Sequence, residues 1–362
     1  MTPLGERIAR LIEASGPMSV ADYMALCLFD PEEGYYTTRQ PFGADGDFTT
    51  APEISQMFGE LVGVWIYSAW AAIGRPLPVT IAEIGPGRGT LMKDVLRTLP
   101  RLDAGLAAGA SFSMVEASPR LSSVQKVTLA DVDVDISWRQ TIATLPSAPL
   151  IIVANELFDA LPVRQFVRVA GQWHERCIGL GETKRLHFLA GVGSLDRALL
   201  PPEAENAPDG SIFEVSNART AMMEAIAEMI AMQSGAGLFI DYGHLETELG
   251  DTFQAVRKHR YEDVLENPGE ADLTSHVDFA ALATAARTKG LDAYGMTQSE
   301  FLLGSGLLER AGRLGSDADK ATREKISAEV ERLAGPDAMG KLFKVLAIFP
   351  PGIVVPPFDQ SS

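Results

Sequence analysis

Residues 79–91, Val-Thr-Ile-Ala-Glu-Ile-Gly-Pro-Gly-Arg-Gly-Thr-Leu, constrain the fold of this chain more than any other stretch. An apolar, β-branched run passes through Glu83 into Gly85, Gly87 and Gly89. Leu91, Met92, Val95 and Leu96 then recur at helical spacing, which reads as a strand, a tight turn and a helix. Backbone without Cβ can pass close to a ligand and offer amides at a helix N-terminus, so a bound nucleotide is the natural occupant. The spacing is Gly-x-Gly-x-Gly, whereas a dinucleotide turn uses Gly-x-Gly-x-x-Gly to seat a pyrophosphate. A carboxylate at position 83 would repel a pyrophosphate but can accept hydrogen bonds from an ammonium or a ribose. S-adenosylmethionine carries both groups. An ordinary strand-to-helix turn of a doubly wound domain has the same appearance, and the rest of the chain decides between the two.

With 362 residues, 46% of them hydrophobic, the chain can fill one large α/β domain with insertions or two modest domains. A formal net charge of −17 disfavours nucleic acid and anionic membranes as partners and suits a cationic one, such as an arginine-bearing polypeptide. Cys27 and Cys177 are far apart and outside any Cys-x-x-Cys spacing, so neither a disulfide framework nor a metal site is suggested. Residues 1–16 read as an amphipathic helix rather than a signal peptide, and no run is apolar enough to span a bilayer. The expectation is a soluble, cytoplasmic protein with no membrane insertion.

Residues 1–75 are expected to form an N-terminal helical and lid region. Ser19 can cap a helix that stops at Asp30-Pro31-Glu32-Glu33-Gly34-Tyr35-Tyr36. The loop from Gly43 to Glu53 follows. Asp45 and Asp47 there suit turn chemistry beside glycine, or belong to a lid in which Tyr35, Tyr36 or Phe48 excludes water. Residues 54–73 have helical periodicity, with Phe58, Trp65 and Trp70 as core.

Residues 76–349 read as the nucleotide-binding core, with insertions at about 163–215, 244–275 and 298–335 and a tail at 350–362. Residues 112–116 form a second strand ending in Glu116, placed to reach ribose hydroxyls. A surface glutamate is the plainer reading. Strands follow at 133–138 and 149–154, then Asn155-Glu156-Leu157-Phe158-Asp159-Ala160-Leu161-Pro162. At the carboxyl end of a parallel strand, Asn155, Glu156 and Asp159 should face the ligand crevice, and buried carboxylates there call for a positive partner. A guanidinium would supply that charge. Residues 163–193 read as an antiparallel meander, and Ser216 caps a helix beyond it. Strands at 237–243, 291–296 and 342–348 complete seven. Residues 244–274 read as a long irregular loop; Ser275 or Thr274 caps the next helix, and His276 is a weaker candidate for a base.

The chain resembles the MidA-like methyltransferases, a family that includes the mitochondrial complex I assembly factor that methylates protein arginine. The resemblance spans nearly the whole chain. It rests on Asp30-Pro31-Glu32-x-Gly34-Tyr35-Tyr36, Gly46-Asp47-Phe48-x-Thr50-x-Pro52-Glu53, Glu83-Ile84-Gly85-Pro86-Gly87-Arg88-Gly89-Thr90-Leu91, Asn155-Glu156-x-x-Asp159-Ala160-Leu161-Pro162, Asp241-Tyr242-Gly243 and Ala271-Asp272-Leu273-Thr274. It implies an α/β, class I, Rossmann-like, seven-stranded, doubly wound fold with an N-terminal helical region, an inserted β meander and inserted helices. The expected S-adenosyl-L-methionine site comprises Glu83, Gly85, Gly87, Gly89 and Glu116, joined by Asp47 and Thr50.

The leading expectation is methyl transfer to an arginine of a protein, which the resemblance implies is a complex I subunit or its bacterial counterpart. Asn155, Glu156 and Asp159 would orient the guanidinium and take up the released proton. A methyltransferase acting on a small molecule, or a non-catalytic cofactor-binding assembly factor, fits the same motifs less fully.

Overall fold

The apolar runs of the core assemble into one sheet. In chain order its seven longer strands are β1 (Val79–Ile84), β2 (Ala110–Val115), β3 (Ile136–Arg139), β4 (Leu150–Asn155), β5 (Ala236–His244), β6 (Asp292–Thr297) and β7 (Phe343–Phe349). The computed structural model describes residues 2–38 and 49–358. Across the sheet the strands lie in the order β6, β7, β5, β4, β1, β2, β3. Pairing is parallel from β5 through β3, while β7 runs antiparallel to both β5 and β6. The order reverses between β1 and β4, which is where a doubly wound sheet opens a crevice at the carboxyl ends of its strands. This is the class I methyltransferase arrangement expected above.

Every residue of β1 is buried, as are the first five of β4, so the polar-apolar alternation of a half-exposed strand is missing. Three helices belong to the same core: α1 (Gln56–Ala72), α2 (Thr90–Leu102) and α3 (Pro119–Thr128). Ser55 caps α1, its hydroxyl accepting from the Met57 amide. Along α1, Phe58, Leu61, Val62, Trp65 and Ile66 pack with Leu91, Val95 and Leu99 of α2 in one buried cluster, which is why the helical period was legible there.

The chain divides into two compact units. One contains Thr49–Leu157, Met222–Leu245 and Phe279–Ser362, and holds the sheet just described. The other contains Met1–Phe48, Phe158–Ala221 and Glu246–Asp278. Its first helix spans Pro3–Ser15, and Ser19 caps the next, Val20–Phe29, by accepting from the Asp22 amide. The meander is present as Arg164–Val169, Gln172–Leu180 and Leu186–Ser194, and is widened by Ile212–Val215 and the two-residue strand Met18–Ser19.

Two details of this second unit differ from expectation. The segment read as an irregular loop contains three short strands, Gln254–Arg257, Arg260–Glu262 and Asp272–Thr274, paired as a small sheet. Its hairpin turns on Lys258 and His259, both left-handed (φ 52° and 60°), so the Asn-Gly type of signature is absent. Ser275 does not serve as the cap expected of it: its hydroxyl accepts from the Arg219 guanidinium at 2.6 Å, and its amide donates to the Asp159 carbonyl at 3.3 Å. Ser216 does cap its helix, accepting from the Arg219 amide at 3.2 Å.

Candidate active site

The turn after β1 bends through three left-handed glycines, with φ of 63° at Gly85, 53° at Gly87 and 83° at Gly89. Side chains rarely tolerate that conformation, and a Cβ on Gly85 would also meet Leu157 Cδ1 at 3.0 Å. The Gly85 amide donates to the Val115 carbonyl and that of Gly89 to the Pro86 carbonyl, at 3.0 and 2.7 Å. Gly89 then opens α2 without a capping side chain. Glu53 secures the turn from outside, accepting from the Thr90 hydroxyl at 2.5 Å and facing the Arg88 guanidinium at 3.4 Å. Thr50 precedes the short helix Ala51–Ile54; its carbonyl accepts from the Glu53 amide at 2.9 Å and its hydroxyl makes no capping bond.

Glu83 is 3% exposed, and its Oε2 has no hydrogen-bond partner among the described residues. Burial pushes this carboxyl up to about 8, opposed by the Met92 backbone amide. An unsatisfied buried acceptor costs about 1–3 kcal/mol, so the position suits a ligand that brings a donor or a positive charge. At the tip of β2, Glu116 accepts from the Ser118 amide at 2.8 Å and from Gln125 Nε2 at 3.1 Å. Burial raises its pKa, and these hydrogen bonds hold it down. A buried acid with an orphan oxygen, a second acid one strand away and glycines between them fit the ammonium, ribose and adenosyl portions of S-adenosylmethionine.

At the tip of β4, Asn155 pairs across the ladder with Ile240, and the Glu156 amide donates to the Ile240 carbonyl at 2.8 Å. Glu156 is left-handed, with φ 53°, although it is not glycine. Asn155 Nδ2 donates to Glu156 Oε1 at 3.0 Å, and Asn155 Oδ1 is buried with no hydrogen-bond partner among the described residues. Asn155, Glu156, Glu83, Gly85, Gly87, Gly89, Glu116 and Thr50 therefore share one unit. Asp159 belongs to the other unit, and Asp47, like Asp45 and Phe48, lies outside the described residues.

Around Asp159, the buried Arg219 guanidinium donates to the carbonyls of Asp159 (3.0 Å), Ser275 (3.2 Å) and His276 (2.6 Å). The His276 amide donates to Thr252 Oγ1 at 2.9 Å. In the same unit the Tyr36 hydroxyl donates to the Asp272 carboxylate at 3.1 Å, which joins two of the sequence motifs. Tyr35, expected on a lid, is 1% exposed and belongs to the core. Gln125 and Arg219 are absent from the sequence reading, which places Glu53 in a motif without a role. Only Gln125 left a local trace, because Ser118-Pro119 is a helix-start pair that places it on α3.

A family profile described as S-adenosyl-L-methionine-dependent methyltransferase matches residues 61–297. The chain belongs to this family. It is 35% identical over 366 residues to the Danio rerio protein arginine methyltransferase NDUFAF7, mitochondrial, covering 95% of this chain and 86% of that protein. Identity to the Homo sapiens protein of the same name is 33% over 376 residues, covering 97% and 84%. A Burkholderia thailandensis crystal structure bound to S-adenosyl-homocysteine superposes with a TM-score of 0.85 at 27% identity, covering 96% of this chain and 91% of that one.

Family membership makes the chain an S-adenosylmethionine-dependent methyltransferase and upholds the resemblance read from its motifs. The expectation of a cytoplasmic protein does not stand: these relatives are named as mitochondrial, which points away from the cytoplasm. Scarce, unpaired cysteines report reducing conditions and do not separate one reducing compartment from another. Among the described residues no helix is long and apolar enough to cross a membrane.

Proposed function

We propose that this methyltransferase acts on an arginine of a protein, with Glu156 as the acid that receives the guanidinium. The observation carrying the proposal is the conformation of Glu156: a glutamate held at φ 53° on a strand tip, braced by Asn155. Non-glycine residues in that region cost about 1–3 kcal/mol and concentrate at functional sites. The relatives' names, which specify protein arginine, and the net charge of −17 support the same reading.

When bound, S-adenosylmethionine supplies an electrophilic methyl group. Glu83 would take its ammonium, Glu116 its ribose hydroxyls, and the backbone of Gly85, Gly87 and Gly89 would leave room for the adenosyl portion; Thr50 completes the proposed set. Glu156, with Asn155, would hold the guanidinium so that one nitrogen faces the methyl group. Such positioning is worth up to about 7–11 kcal/mol of barrier. Guanidinium is too weakly acidic to lose its proton first, so a carboxylate accepts one proton as the new bond forms and S-adenosylhomocysteine leaves.

A respiratory complex I subunit, or its bacterial counterpart, is the substrate to examine first. Arginine methylation would be mapped by mass spectrometry in proteomes with and without the protein, beginning with those subunits. Loss of methylation at one or a few arginines is expected, restored by the wild type and not by Glu156→Gln. An unchanged arginine profile, with labelled cofactor marking a small molecule instead, would overturn the reading.

A further inference from the structure

Gln125 is completely buried on α3, and each polar atom of its side chain is used. Its Nε2 donates to the Gly87 carbonyl at 3.0 Å and to Glu116 Oε2 at 3.1 Å, while its Oε1 accepts from the Trp138 indole nitrogen at 3.1 Å. The amide has only one workable orientation. Exchanging its oxygen and nitrogen would set an oxygen against a carbonyl and a carboxylate, and an NH2 against an indole N–H. One side chain therefore links the glycine turn, the tip of β2 and the β3 tryptophan.

We propose that Gln125 is a positioning residue for the cofactor's ribose: it fixes Glu116 so that the carboxylate presents its remaining acceptor capacity to the ribose hydroxyls. The inference rests on the reading of Glu116 as the ribose acid. A carboxylate has about four acceptor sites. On Glu116 the Ser118 amide occupies one on Oε1, at 2.8 Å, and Gln125 occupies one on Oε2. A backbone hydrogen bond from Ala117 takes a third, and the acceptor capacity left is that of a carboxylate receiving a ribose hydroxyl. Because the same amide holds the Gly87 carbonyl, the carboxylate and the turn keep a fixed register. Gly89 lies against the same side chain, where a Cβ would come to 3.5 Å from Gln125 Cγ.

The test is calorimetry of S-adenosylhomocysteine and of its 2′,3′-dideoxyribose analogue with wild type, Glu116→Gln, Gln125→Met and Gln125→Glu. Wild type should prefer the intact ribose by about 10-fold or more, the scale of a charge-assisted hydrogen bond. Gln125→Met should lose about 10-fold in affinity for S-adenosylhomocysteine and little for the analogue, so the preference collapses. Gln125→Glu keeps the length and an acceptor for Trp138, and guards against a folding failure of the methionine variant. It should lose the preference at high pH and regain part of it as the introduced carboxyl is protonated and can donate. Full preference retained in both Gln125 variants, or equal losses for the two ligands, would overturn the positioning role. No preference in wild type, with Glu116→Gln unaltered, would instead remove the ribose reading on which it rests.

Discussion

The Gly85–Gly89 turn and the Asn155-Glu156 pair both close parallel strands of one sheet, and both demand left-handed backbone. The turn uses glycine at each such position, and its chemistry is that of backbone and space. At 156 the chain keeps a side chain where glycine would relieve strain, so the chemistry there belongs to the carboxylate. On the proposed reading the first region admits the cofactor and the second acts on the substrate. Substitutions should therefore fail differently in the two places.

The largest effect is expected from Gly87→Val. A β-branched residue at φ 53° costs about 1–3 kcal/mol in strain alone and adds bulk where the adenosyl portion must pass. Binding of S-adenosylhomocysteine should become undetectable by calorimetry, and activity should vanish with it. Glu156→Gln should do the reverse. Turnover on the protein substrate falls about 100-fold, the lower end of what a positioned acid or base contributes, while cofactor affinity stays within about twofold. Weakened cofactor binding in Glu156→Gln would erase the distinction between the two regions.

A third expectation concerns pH. Free Glu83 titrates near 8, raised from an ordinary 4.5 by burial, so it is protonated in the free protein across neutral pH. Pairing with an ammonium lowers its pKa, so binding releases a proton. Affinity for S-adenosylhomocysteine should rise by up to about tenfold per pH unit and level off above about 8, with heats that depend on buffer ionisation. Stability of the free protein should run the other way. A carboxyl whose folded pKa is raised favours folding below its unfolded value and loses that contribution as pH rises through the folded one. Asp94, pushed up to about 6 by burial, has the same sign, and so has Glu214. The Tm of the free protein should therefore fall between about pH 4.5 and 8, and bound cofactor should flatten that slope. A pH-independent affinity would mean that Glu83 does not meet the ammonium.

The central sheet was legible because strands covered on both faces are written as continuous apolar runs; Leu150-Ile151-Ile152-Val153-Ala154 admits few other readings. Motif acids at strand tips followed from the same logic. Hidden features depended on partners distant in sequence or on turns with unusual residues. Arg219 reaches Ser275 across 56 positions, which no local pattern announces. The Lys258-His259 hairpin lacks the glycine that would mark it. The α3 helix exposes only a weak apolar period, and its most consequential buried residue, Gln125, is polar.

The smallest effect separates conformation from chemistry at one residue. If Glu156 is kept for its carboxylate at the expense of its backbone, Glu156→Gly should abolish methyl transfer and yet stabilise the free protein by about 1 kcal/mol, the left-handed penalty less the flexibility glycine adds to the unfolded chain. Glu156→Gln, which keeps the strain and the size, should leave the Tm near wild type. Thermal unfolding of the three proteins without cofactor reads the relief of strain net of the side-chain hydrogen bond, since Asn155 Nδ2 keeps an acceptor in the glutamine variant and loses it in the glycine one. Equal or lower stability of Glu156→Gly would mean that the hydrogen bond from Asn155 outweighs the strain. Glu156 would then be a structural residue, and the acid that receives the guanidinium would have to be sought elsewhere.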